Sequence, residues 1–259
     1  MKKLLLTVVG LAGLGLAPAL AADLPARVYT KAPPPVVAPI YNWAGFYIGL
    51  NGGGGSSHKC WDLTSIAGIV AVANFGEGCH DATGGLAGGQ VGYRWQSANW
   101  VFGLEAQGDW ADFSGSNVSN LPLAGLLTNR SRIDAIGLFT GQVGYAWNNV
   151  LWYVKGGAAV THDKYDGLLT STGLVLDSAS EDRWGGAVGT GVEIGFAPGW
   201  SVAFEYDHLF MGHHTETFGT TLVTPGIAFT TRTDSIRQDV DMGTIRVNYT
   251  FGGPVVARY

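Results

Sequence analysis

Six histidines and the acidic residues near them decide whether this chain can carry out catalysis or hold a metal ion. They are His58, His80, His162, His208, His213 and His214. His208 directly follows Asp207, but consecutive residues of a strand point to opposite faces, so the two cannot form a catalytic dyad. Because acid–base or nucleophilic catalysis needs such a paired group, we expect no catalytic residues and no enzymatic activity.

The adjacent His213 and His214, together with His58 and His80, indicate a different chemistry. Histidines grouped in exposed segments can capture a metal ion or haem at a protein surface. Such pairs are more often solvated polar residues, and both interpretations remain open at this point. We therefore assign no metal ligand, cofactor ligand or cofactor.

The two cysteines, Cys60 and Cys79, are separated by a short polar and apolar segment. Their surroundings lack the residue spacing of a metal site. In an exported protein two such cysteines are expected to form a disulfide that closes one loop.

Glycine and aromatic residues indicate which elements must position these side chains. The chain of 259 residues contains 40 glycines and 12% aromatic residues, and only 14% of its residues are charged. Glycine is a poor helix former, so this composition favours strands and turns. The acidic balance, with a net charge of −5, argues against nucleic acid as a partner.

Apolar and polar residues alternate with a period of two in eight segments, which predicts eight strands whose faces meet different environments. In the first, Phe46, Ile48 and Leu50 share one face, and the glycine run 52–55 is expected to lead into a long loop. The other segments are 85–95, 99–110, 131–147, 150–162, 183–196, 200–211 and about 237–251. Ile133 is assigned to the apolar face of its segment.

The connections between these segments alternate in length. Three are short and rich in turn residues, namely "QSAN", "NN" and "APG", whereas the other four are expected to run to roughly 15 to 30 residues. Tight turns at one end and long loops at the other are typical of outer-membrane barrels. The prediction is an all-β, eight-stranded, antiparallel, transmembrane up-and-down β-barrel.

A soluble eight-stranded barrel of the lipocalin kind would show the same alternation. The apolar faces here carry aromatic residues near their ends, as the aromatic girdles of membrane barrels do. These residues are Trp95, Trp100, Trp110, Tyr145, Trp147, Trp152, Trp184, Trp200, Tyr249 and Phe251. The membrane barrel is therefore preferred.

Charged residues on the other face are expected to line the interior of this barrel. They are Arg94, Glu105, Asp109, Lys155, Glu193, Glu205, Asp207 and Arg246. Unpaired charges away from bulk water are costly, so these groups must pair or keep water around them. A packed cluster of ion pairs and a narrow, cation-preferring passage both fit this set.

The amino terminus has the features of a targeting segment. Lys2 and Lys3 precede an apolar run, and small residues follow, which predicts a signal peptide over 1–21. The proline-rich segment 22–41 is interpreted as a periplasmic linker, and 42–259 as the outer-membrane barrel domain. The expected location is the outer membrane of a Gram-negative cell.

Basic residues of the long connections are expected near the outer rim, where the phosphates of lipopolysaccharide would lie. They are Lys59, Arg130, Arg132, Lys164, Arg183, Arg232 and Arg237. Outer-membrane lipid and lipopolysaccharide are therefore expected partners, and host or envelope surface partners would bind through the four long loops.

Several sequence stretches also resemble a known family. "YNWAGFYIGLNGG", "GGQVGYRW", "GQVGYAW", "WYVKGG" and "VNYTFGGPVVARY" are similar to the RopB-type small outer-membrane proteins of rhizobia and related alphaproteobacteria, which are akin to the transmembrane domain of OmpA. The resemblance extends over nearly the whole mature chain, and it leaves open whether Phe251 or Tyr259 is the terminal aromatic residue read during insertion.

The resemblance implies a structural and surface-interaction role in the cell envelope, as a porin-like barrel or surface antigen without catalytic residues. The alternatives are a narrow passage for small solutes or ions and the capture of haem or metal by surface loops.

Overall fold

The computed structural model describes residues 41–66, 69–120, 127–220 and 231–252. In this part of the chain eight antiparallel strands close into one barrel in sequence order, which confirms the predicted fold class. The strands are β1 (Gly45–Ile66), β2 (Ile69–Ser97), β3 (Trp100–Val118), β4 (Leu127–Trp147), β5 (Val150–Leu169), β6 (Leu174–Ala197), β7 (Trp200–Thr220) and β8 (Thr231–Phe251). The predicted signal peptide and Tyr259 lie outside the described residues, as does the linker except for Tyr41, which packs against Trp43.

Among the described residues, no helix is long and apolar enough to cross a membrane.

The alternation in the sequence separates the two faces of the barrel wall. On β1, Leu50 is 73% exposed on the outside, whereas Tyr47 is fully buried on the inside. The outward apolar residues form a band along the strands, for example from Phe46 to Gly54 on β1, and a tilted strand needs about nine to eleven residues to cross a bilayer.

The strands continue far beyond this band, and the expected four long loops are absent from the described ranges. The strands are between 19 and 29 residues long, and the glycine run 52–55 lies inside β1, paired on both sides with β2 and β8. The prediction of long loops is wrong because, above the lipid, both faces of a strand can be polar. Backbone hydrogen bonds then extend the sheet without any hydrophobic alternation to reveal it.

Close approach of the backbone explains two glycines of this run. A Cβ on Gly53 would lie 2.0 Å from the carbonyl oxygen of Gly243, and one on Gly55 would lie 2.9 Å from the ring of Phe113. The inward face of β1 is therefore left empty so that a phenylalanine from β3 can fill the barrel at this level.

Ile133 lies on the inward face of β4, fully buried, and not on the apolar outer face to which its segment assigned it. The register between β4 and β5 shifts between Ile133 and Ala135, and that between β3 and β4 shifts between Trp110 and Phe113. An extra residue at such a bulge moves the following side chains to the other face of the sheet.

The three short connections are tight turns, as predicted. They lie at 98–99, 148–149 and 198–199, and Ala98, Asn148 and Gly199 have positive φ angles of 53°, 53° and 77°. At the opposite end, β5 and β6 are joined by another turn at 170–173.

Candidate functional site: the barrel interior

The structure places all eight predicted interior charges on the inward face, where every one is buried. We call these eight residues the lower charged cluster. At its centre Arg246 Nη2 lies 2.5 Å from Glu105 Oε2, while Arg246 Nη1 contacts Glu205 Oε2. Lys155 Nζ lies 2.6 Å from Glu205, 3.2 Å from Asp207 and 3.6 Å from Glu105. Two cations thus hold three carboxylates from strands on opposite sides of the barrel.

A second ion pair of the cluster also crosses the barrel. Arg94 Nη2 on β2 donates to Glu193 Oε2 on β6 at 2.7 Å. Glu193 Oε1 accepts hydrogen bonds from the Ser201 hydroxyl and from Asn248 Nδ2, the latter at 3.0 Å. The guanidinium carbon of Arg94 also lies 4.3 Å from the centre of the Tyr47 ring, a cation–π contact.

Two tyrosines complete the cluster, and neither was among the predicted interior residues. Tyr47 Oη donates to Glu105 at 2.6 Å, and Tyr153 Oη donates to Glu205 at 2.5 Å. Each ring lies against a glycine of the neighbouring strand, where a Cβ would approach the ring within 2.5 Å at Gly92 and 2.6 Å at Gly191. The signal was present in the sequence, because alternation places both tyrosines on the same face as the carboxylates.

An apolar layer lies next to the lower charged cluster along the strands. Along β8 the inward residues after Arg246 are Thr244, then the apolar Met242 and Val240, and then the polar Gln238. The residues of this layer are Ala82, Leu86, Phe113, Ile133, Ile136, Leu138, Ala159, Ala187, Leu209, Met211, Val240 and Met242. They come from all strands except β1, whose glycines make room for them, so apolar side chains fill the cross-section of the barrel.

A second polar layer lies above the apolar one. Lys59 Nζ on β1 lies 2.5 Å from Asp163 Oδ1 on β5, and both side chains are fully buried. Asp163 Oδ2 also accepts from the Thr161 hydroxyl at 2.5 Å and from Gln238 Nε2 at 3.4 Å. Burial lowers the pKa of Lys59, while the adjacent Asp163 carboxylate opposes that change.

The upper end of the interior contains another ion pair packed against aromatic rings. Arg232 Nη2 lies 2.6 Å from Asp234 and 3.4 Å from Glu77, and its guanidinium is 4.9 Å from the centre of the Phe218 ring. Trp61 stacks on Phe218 with ring centres 5.6 Å apart. Burial raises the pKa of Asp234 to about 7, Arg232 opposes this rise, and Glu77 adds to it.

The predicted basic rim is only partly correct. Lys59, Arg183 and Arg232 face the interior, where they pair with carboxylates and cannot reach lipid phosphates. These residues lie on strand extensions, whose side chains point alternately to the interior and to the exterior. In loops all three side chains would have been accessible to solvent. The remaining four, Arg130, Arg132, Lys164 and Arg237, are exposed or partly exposed, and three of them pair with the neighbouring Asp166, Asp134 and Asp239.

Three histidines form outward pairs with aspartates directly opposite on the adjacent strand. The pairs are His58–Asp81, His162–Asp182 and His208–Asp241, each with 2.7 Å between ring nitrogen and carboxylate oxygen. They lie at the upper edge of the apolar band, where His208 is flanked by the outward Tyr206 and Phe210. Asp207 points inward and His208 outward, so these neighbours in sequence form no dyad, as expected from the strand period.

The four histidines considered for haem or metal capture do not converge. His80 faces the interior, where its ring nitrogens contact Asn117 at 2.8 Å and Ser131 at 2.5 Å, and burial lowers its pKa. His58 is on β1 and His213 is on β7, with β8 between them. His214 instead contacts two glutamates.

Cys60 and Cys79 form the predicted disulfide. They are direct partners in the β1–β2 ladder, with a Cα–Cα distance of 4.1 Å. The bridge therefore joins two strands of the projecting wall, where a loop had been expected.

Comparison with known proteins gives a family match over most of the chain. Residues 7–251 match the family model described as the outer membrane protein beta-barrel domain. The 31 kDa outer-membrane immunogenic protein of Brucella melitensis is 28% identical over 216 residues, which is 75% of this chain and 81% of the relative. The 22 kDa outer membrane protein of Rhizobium leguminosarum bv. viciae is 32% identical over 162 residues, 61% of this chain and 59% of the relative.

Solved barrels with low sequence identity also overlay on the chain. OmpT, the outer membrane protease from Escherichia coli, gives a TM-score of 0.48 at 9% identity, and OprG from Pseudomonas aeruginosa gives 0.46 at 12%. Each comparison covers 80% of this chain and 97% of the solved one.

Proposed function

Because this chain belongs to the outer membrane protein β-barrel family, and so lies in the outer membrane, we propose that it is a non-conducting barrel that stabilises the envelope and presents its projecting wall to surface partners. The observation that supports this role is the apolar layer between two charged layers. An ion that followed the lower charged cluster would meet Phe113, Leu209 and Met242, which offer it no polar group.

The height of the wall supports the surface role. A strand of 21 residues such as β4 extends about 70 Å, and at the usual barrel tilt it spans roughly 50 Å along the barrel axis. The apolar band of such a barrel is only about 25 Å tall. About half of the wall therefore projects beyond the lipid on the side away from the tight turns.

The partners follow from where the outward groups lie. The three histidine–aspartate pairs lie at the upper edge of the apolar band and the exposed Arg132 lies beyond it, near the level of lipid headgroups, so they would contact lipopolysaccharide. Host or envelope partners would meet the projecting wall and its tips. The naming of a Brucella relative as an immunogenic protein fits such surface display.

Conductance in a planar bilayer tests the closed interior. The processed protein purified from outer membranes is expected to insert without current steps. A variant with Phe113, Leu209 and Met242 all changed to alanine is expected to conduct, because it removes the side chains that fill the apolar layer. Its folding is checked by the mobility difference between heated and unheated samples in electrophoresis.

Steady, cation-preferring current through the unaltered protein would refute a closed barrel and make it a narrow porin. In that case Glu105→Gln plus Glu193→Gln should weaken the cation preference, since these carboxylates line the lower interior.

The envelope role is tested separately in cells that lack the protein. These cells are expected to become more sensitive to detergent and to chelators of divalent cations, and the unaltered gene should restore resistance. Unchanged sensitivity in the absence of the protein would remove the structural part of the proposal.

A further inference from the structure

The wall of the barrel has a gap between β6 and β7 above the apolar band. These strands pair from the tight turn up to Gly186 and Phe210, with one irregularity between Gly195 and Ala197, and again at Ser178 and Gly219. Between these points, residues 179–185 and 211–218 have no ladder partner across the gap, although each strand pairs with its other neighbour. The paired ladder between the two strands is therefore interrupted over these stretches.

Three metal-ligating side chains meet across this gap. His214 Nδ1 on β7 contacts Glu181 Oε2 on β6 and lies 3.1 Å from Glu216 Oε1. The three donor atoms all lie within 4.8 Å of one another. Glu181 and Glu216 are largely buried, whereas His214 is 54% exposed, so an ion from solvent can reach the donors.

The carboxylate of Glu181 is held in place from its other side. Its Oε1 accepts hydrogen bonds from Arg183 Nη2 at 2.6 Å, from Arg183 Nε at 3.1 Å and from Tyr165 Oη at 3.2 Å. These contacts leave Oε2 directed at His214. Outer groups of this kind orient the ligands of metal sites, and their presence distinguishes this cluster from a chance grouping of surface acids.

We propose that Glu181, His214 and Glu216 form a site for a divalent transition-metal ion such as Zn²⁺, which joins β6 to β7 across the gap. One imidazole nitrogen and two carboxylate oxygens form a ligand set that Zn²⁺ accepts, with water in a fourth position. Ligand atoms lie about 2.0–2.2 Å from the ion on different sides of it, so His214 Nδ1 and Glu181 Oε2, which are in direct contact, would move apart to admit the ion.

Charge also favours a cation at this point. Two carboxylates converge on the imidazole, and the ion pair of Arg183 is with Glu181. A divalent ion would compensate the second carboxylate and replace the missing ladder with metal–ligand bonds. The grouping of His58, Cys60 and Cys79 offers no comparable site, because both sulfurs are already joined in the disulfide.

Calorimetric titration of the processed, detergent-solubilised protein with Zn²⁺ tests the site. We expect binding of one ion per chain, weakened at least tenfold by His214→Ala plus Glu216→Gln. The matched control is His162→Ala plus Asp182→Asn, which removes an outward pair between β5 and β6 where the ladder is continuous. The control is expected to bind Zn²⁺ as the unaltered protein does.

Hydrogen exchange provides the second measurement. Zn²⁺ should slow exchange in segments 179–185 and 211–218 of the unaltered protein and should have no such effect in the variant. If the double variant does not show the difference in electrophoretic mobility between heated and unheated samples that marks a folded barrel, Glu216→Gln alone replaces it in both measurements. Absence of Zn²⁺ binding, equal binding by variant and unaltered protein, weaker binding by the control, or binding without protection of the gap would each overturn the proposal.

Discussion

Arg246 lies between two carboxylates of the lower charged cluster, and its replacement by alanine shows how much the cluster contributes to stability. The three side chains, those of Arg246, Glu105 and Glu205, are at most 2% exposed. In Arg246→Ala both carboxylates stay inside the barrel, with Lys155 as the nearest cation, 2.6 Å from Glu205 and 3.6 Å from Glu105. Lys155 alone must then compensate the carboxylates that Lys155 and Arg246 compensate together in the unaltered protein.

Removal of one partner from a buried ion pair costs about 3–5 kcal/mol, because the remaining charge is desolvated and uncompensated. We expect Arg246→Ala to lower the free energy of unfolding by that amount. Arg237→Ala is the matched control on the same strand, since its guanidinium is 59% exposed and lies 3.5 Å from Asp239. An exposed pair of this kind contributes about 0–1 kcal/mol.

Urea titration of the protein in lipid vesicles, followed by tryptophan fluorescence, measures these differences. A third variant, Arg246→Met with Glu105→Gln and Glu205→Gln, removes the charges together and should regain most of the lost stability. A loss below about 1 kcal/mol in Arg246→Ala, or an equal loss in the triple variant, would show that compensation of buried charge is the wrong explanation.

Three further predictions concern other parts of the barrel. Gly92→Ala should cost about 1–3 kcal/mol in urea titration, because its Cβ would lie 2.5 Å from a tyrosine ring, whereas Gly108→Ala, with nothing within 4 Å, should be neutral. Cys60→Ser plus Cys79→Ser removes a disulfide between residues 19 apart, so the free energy of unfolding should fall by roughly 3 kcal/mol or less. Hydrogen exchange should accelerate in the upper part of β1 and β2 and stay unchanged below it. The pKa of Asp234 is raised to about 7, so the folded chain holds this proton where the unfolded chain has lost it. Stability relative to Asp234→Asn should therefore be greatest below about pH 4 and fall as the pH rises through about 7, and a flat difference would contradict the raised pKa.

The period-two pattern predicted the part of the fold that lies in lipid. There, each strand meets hydrocarbon on one face and the interior on the other. The residue type therefore indicates the face, as the outward Leu50 and the inward Arg94 show. The eight interior charges were identifiable for the same reason. Their partners were not, because Arg94 and Glu193 belong to strands on opposite sides of the barrel and no local pattern brings them together.

Above the lipid the sequence loses this information. Polar residues occupy both faces of the strands there, so the sequence pattern of the strand extensions is the same as that of loops. The inward orientation of Lys59 and Arg232 could therefore not be predicted. Bulges have the same effect at single positions, as Ile133 shows. The gap between β6 and β7 depends on how whole strands pair, which no local pattern of the sequence shows.

The extension of the strands past the bilayer also limits how this surface can diverge. Within a paired strand, one added or deleted residue would exchange every later side chain between lumen and exterior. Changes of length are therefore tolerated only at the tips, such as the turn at 170–173, while the wall can vary only by substitution at its outward positions. A foreign peptide for display would accordingly be inserted at a tip. An antibody against the wall would recognise side chains whose positions are fixed by the paired strands.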